Sequence, residues 1–66
     1  MSDPEAVLQD MIDEIDDDIA RRKTLLRQFL GAPGARYDRA GAIRRMKEIE
    51  ALREDRYILN EAMDEM

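Results

Sequence analysis

Apolar residues recur along the first half of the chain at Leu8, Ile12, Ile15, Ile19, Leu26 and Phe29, in alternating steps of four and three. Arg22 alone interrupts them, at the place where a further apolar residue is due. This is the spacing of one helix face that packs against another helix. Met11 and Leu30 widen the face, and Val7 and Leu25 sit on its flank. Ser2 or Asp3 suits the N-cap, Ser2 to Glu5 has capping-box spacing, and Pro4 suits the first turn. The pattern predicts a helix over about residues 4–30.

Gly31, Ala32, Pro33 and Gly34 stop the pattern. Gly31 is expected to take the left-handed conformation that closes a helix, and Pro33 blocks its continuation. After a turn over 31–37, Asp38 is a candidate cap for a second helix over about 38–64, although Gly41 in its first turns costs about 1 kcal/mol relative to Ala. The four-three pattern there runs Ala42, Arg45, Ile49, Leu52, Arg56, Leu59, Met63, Met66, and Ile43, Met46, Ile58 and Ala62 add a second edge. β signals are nearly missing, with one Val, one Thr and three aromatic residues.

The chain therefore reads as one all-α domain over residues 1–66, an antiparallel hairpin of two long helices joined by a short connection. Two helices leave part of each apolar face in water, and a 66-residue chain buries only about 60% of the surface its unfolded form exposes. With no Cys and no His there is neither a disulfide nor a zinc site of the usual kind to add stability. Association is the expected remedy, either two hairpins in a four-helix bundle or the same face gripping another protein. The residues expected to carry it are Leu8, Ile12, Ile15, Ile19, Leu26, Phe29, Ile43, Met46, Ile49, Leu52, Leu59 and Met63. The methionines among these, and Met66, read either as ordinary core or as an adaptable binding surface.

Charge changes the picture. The 16 acids and 11 bases leave a net charge of −5, which by itself argues against polyanionic partners. Their order along the chain matters more. Residues 1–20 hold eight acids and no base, residues 21–47 hold nine bases and one acid, and residues 48–66 hold seven acids and two bases. Folding at the turn sets positions that sum to about 70 opposite one another, so the acidic segments meet at one end and the basic segment becomes the tip. This level rule places Arg22 near Glu48, Glu14 near Arg56, and Asp17 and Asp18 near Arg53. Arg22 and Arg56 are expected to reach these acids and set the register of the helices; the other reading leaves both pointing to water.

The tip residues Arg36, Tyr37, Arg39, Arg44 and Arg45 are the candidates for choosing a partner. Acid on protein is the favoured target, including the acidic ends of a second, antiparallel copy. The alternative is phosphate, with Tyr37 stacking on an unpaired base. Tyr37 is otherwise expected to cover the end of the core below the turn, and Tyr57 to lie at an edge or interface.

No catalytic, cofactor-binding or metal site is expected. Ser2, Thr24 and the two tyrosines are the hydroxyl candidates, with no His or Cys to activate them. The acidic run Asp13 to Asp18 lacks the Gly and closing Glu of a calcium loop and carries Ile15 at helical spacing. Neither a leader nor a membrane span is expected from the first residues or from apolar runs no longer than three, so the cytoplasm is the default location.

In length and layout the chain resembles the Rop type of plasmid-encoded hairpin dimer, with no run of residues in common. Ile15-Asp16-Asp17-Asp18-Ile19-Ala20-Arg21 and Ile43-Arg44-Arg45-Met46-Lys47 resemble segments of the small bacterial YdcH-like hairpin proteins, although the second helix here turns acidic after Lys47. Neither family is assigned. The functional expectation is a non-enzymatic bacterial or phage protein-interaction module: a regulator, inhibitor or assembly adaptor. A Rop-like nucleic-acid binder and a virion or scaffold component are the alternatives.

Overall fold

The computed structural model describes residues 3–66. Helix α1 spans Pro4–Leu30, a single 3-10 turn spans Ala35–Tyr37, and helix α2 spans Arg39–Asp64. Asp3 caps α1, its carboxylate accepting from the Glu5 N–H at 3.0 Å. Pro4 opens the helix, where its missing N–H leaves no bond unmade. Ser2, the other candidate cap, lies outside the described residues.

The connection corrects one expectation. Gly31 stays right-handed at φ −83°, ψ −8°, and its N–H donates back to Arg27 O. The left-handed glycine is Gly34, at φ 85°, ψ −5°. The Ala35 N–H donates to Ala32 O at 3.2 Å, so residues 32–35 form a turn with Pro33 and Gly34 at its centre. Pro followed by a positive-φ Gly is the type II arrangement, and it reverses the chain here in place of a left-handed helix cap.

Asp38 caps α2, accepting from the Gly41 N–H at 2.9 Å. Gly41 is buried, and a Cβ there would collide with the Asp38 carboxylate. The residue that weakens the helix by propensity thus leaves room for its cap.

The two helices pack against each other along their lengths, forming a hairpin 51 Å long and 16 by 13 Å across. Among the described residues the buried hydrophobic side chains are Ile12, Ile19 and Ile49, each at 5% exposure or less. The radius of gyration is 15.4 Å, against about 11 Å for a compact domain of this length. Among the described residues no helix is long and apolar enough to cross a membrane.

Candidate functional site

The apolar seam residues fall into two groups. Ile12, Ile19 and Ile49 are buried between the helices, and Leu8, Ile15, Leu26, Phe29, Met46, Leu52, Leu59 and Met63 are half-buried. Much of the surface expected to grip a partner is used inside the hairpin. Ile43 stands apart at 47% exposure.

Arginines break the seam, and each finds a partner in the opposite helix. Arg22 donates to Glu48 at 2.7 Å, as the level rule places it. Arg56 donates to Asp16 at 2.9 Å, two residues from the expected Glu14. The sums are 70 and 72, so the register drifts slightly toward the open end. Arg53 makes no ion pair among the described residues, and Asp18 instead lies 3.8 Å from Arg22 within its own helix. Both cross-helix pairs are well exposed, which limits each to about 0–1 kcal/mol. A pair of this strength can favour one register of the helices while adding little to their hold.

The tip is divided as well. Arg36, Arg39 and Arg44 are exposed. Arg45 turns inward: its guanidinium sits 4.0 Å above the Phe29 ring centroid and donates to Gly41 O at 3.0 Å. Tyr37 does not cover the core. Its ring is 85% exposed, with Arg36 5.7 Å from its centroid. The 3-10 turn carries Tyr37 past the end of the seam, and Arg45 fills the place that a lid would take.

With the tip basic and both chain ends acidic, the 51 Å hairpin separates its charges by far more than the screening length of about 8 Å. Each end shows a partner its own sign.

Large apolar side chains stay open on several faces. Val7, Met11 and Leu25 mark one flank of α1 at 40–53% exposure, and Ile43 and Ile58 mark the outer face of α2 at 47% and 52%. Tyr57 is 64% exposed. The outer face of α2 also carries a shallow depression of about 590 Å³ lined by Ala40, Ile43, Arg44, Lys47, Glu48 and Ala51. All six belong to one helix, so the depression has no second wall and is open helix surface instead of an enclosed ligand pocket. Sequence reasoning passed over Ala40 and Ala51 here; the signal was their spacing with Ile43 and Ile58 on the face away from the seam.

The second hollow, about 80 Å³ between Arg22, Leu25, Leu26, Arg45 and Glu48, is well below the 300 Å³ or so of a small-molecule site. Among the described residues no cluster of acids could hold a metal ion. Thr24 donates its hydroxyl to Ala20 O at 3.1 Å, along its own helix.

Comparison with known protein families, curated proteins and solved structures finds no match for the chain.

Proposed function

We propose that the chain is a non-enzymatic, cytoplasmic protein–protein interaction module, a small regulator, inhibitor or assembly adaptor. In this reading it works as part of a larger assembly, and its first partner is itself, two hairpins pairing as a four-helix bundle. One observation carries the reading. The hairpin exposes 5329 Å², whereas a compact monomer of 7.7 kDa exposes about 4,300 Å². The excess, about 1,000 Å², is comparable to the roughly 800 Å² that each partner buries in a stable interface. Among the described residues, nine large apolar ones at 40% exposure or more supply the material for such a contact. The exposed Arg36, Arg39 and Arg44 would then select acidic protein surface.

Light scattering on the pure protein at micromolar concentration tests this. A mass of at least twice 7.7 kDa supports it, and a stable monomer that captures no protein partner overturns it.

A second reading is favoured by Tyr37. An aromatic ring 85% exposed beside Arg36, in the most basic part of the molecule, has the composition of a stacking site for single-stranded nucleic acid. Titration of a labelled oligonucleotide at two salt concentrations separates the two: steep salt dependence supports this reading, and no binding at low salt removes it.

A further inference from the structure

We propose that the outer face of α2 is a self-complementary surface on which a second copy docks antiparallel, with Ala51 beside the two-fold axis. The proposal rests on the self-association in the reading above but replaces the closed bundle with an open row of four helices, the two α2 helices in the middle.

The face is defined by Ala40, Ile43, Lys47, Ala51, Glu54 and Ile58, in steps of three and four that align them along one side of α2. All six are exposed, whereas Gly41 and Ile49 on the opposite side are buried toward α1. A symmetric dimer needs a patch complementary to itself. In an antiparallel pair related by a two-fold axis, residues at the same level have numbers that sum to twice the axis position. With the axis beside Ala51 the sum is 101–102. Ile43 then meets Ile58 of the other copy, Lys47 meets Glu54 and Asp55, and small Ala51 meets itself, where a larger side chain would hold the helices apart. Each contact away from the axis occurs twice.

Other registers lose this match. An axis at Lys47 sets Lys47 against Lys47, and one between Glu54 and Asp55 sets acid against acid. Parallel pairing opposes every charge with its like. The chosen axis also coincides with the midpoint of Arg39–Asp64, so the hairpins overlap along their full length. The basic tip of each then lies beside the acidic ends of the other. The local stripe and the large-scale charge pattern demand the same arrangement, though neither determines the other.

The chain has no cysteine, so single substitutions report proximity without background. Under mild oxidation Ala51→Cys is expected to form a disulfide-linked dimer. An equimolar mixture of Ile43→Cys and Ile58→Cys chains is expected to form the mixed dimer. Ile43→Cys alone is not, because its two copies would stand about 24 Å apart at 1.5 Å per residue. Linkage through Ile43→Cys by itself as readily as through Ala51→Cys would show parallel pairing, and no linkage through Ala51→Cys would place the contact elsewhere; either result overturns the proposal. Circular dichroism confirms that each variant keeps its helices.

A charge exchange gives a check without cysteine. Lys47→Glu should weaken the dimer roughly tenfold or more, since two attractive pairs become repulsive. Adding Glu54→Lys in the same chain should restore most of it; equal dimerisation by wild type and Lys47→Glu contradicts the proposal. If the pure protein is monomeric yet binds a different protein, the self-docking falls while the interaction-module reading stands. If it does neither, both fall.

Discussion

The guanidinium of Arg45 lies 4.0 Å from the centroid of the Phe29 ring while its Nη1 donates to Gly41 O, so a charged side chain closes the tip end of the core. Its neighbour Arg44 is exposed. A partly buried cation over a ring contributes about 1–2 kcal/mol, and an exposed surface arginine about 0.5 kcal/mol or less. Arg45→Ala should therefore lower the thermal midpoint by several degrees more than Arg44→Ala, in melts at one fixed protein concentration. Equal midpoints would remove Arg45 from the core.

Arg22 occupies a seam position and reaches out to Glu48, leaving its Nε buried without a hydrogen-bond partner. A leucine there would continue the apolar stripe and relieve that atom. Arg22→Leu is expected to melt no lower than the wild type, while sedimentation shows a wider spread of oligomers because the register constraint is gone. A loss above about 1 kcal/mol with an unchanged oligomer distribution would mean that the pair stabilises instead of specifying.

The two turn glycines should respond differently. Gly34 has φ 85°, where a Cβ is strained, so Gly34→Ala should cost about 1–2 kcal/mol. Gly31 is right-handed, and an added Cβ would stand 3.4 Å from Arg27 O, so Gly31→Ala should be nearly neutral. Urea melts of the pair measure the contrast, and the reverse ranking would contradict the turn described here.

Tyr37→Ala should change stability by no more than about 0.5 kcal/mol, since the ring is 85% exposed. A ring covering the core would cost about 3 kcal/mol or more on truncation. Chemical denaturation separates these values, and a large loss would return Tyr37 to the core.

The all-helical architecture was legible because its signals are local and agree: four-three apolar spacing, Asp3 and Asp38 as caps, and Pro33 as a stop. The level rule placed Arg22 opposite Glu48 because antiparallel neighbours add to a constant. It missed Asp16 as the partner of Arg56 because that constant drifts by two along the hairpin. Which glycine turns left-handed was misread, since both Gly31 and Gly34 fit a local rule and only the turn around Pro33 decides between them. The fate of Tyr37 and Arg45 was hidden for a different reason. Arg45 reads equally as a stripe position and as a tip charge, and the 3-10 turn that carries Tyr37 away leaves no periodic mark. The outer face of α2 was obscured by its own composition, since two alanines and two isoleucines among charges raise little hydrophobic signal until the seam is known to lie elsewhere.

For a hairpin proposed as half of a fully overlapped antiparallel pair, small-angle X-ray scattering tests mass and length together. The expected result is twice the 7.7 kDa chain mass with a longest dimension close to the 51 Å of one hairpin. A single-chain mass at high protein concentration, or a doubled mass with roughly doubled length, would contradict it.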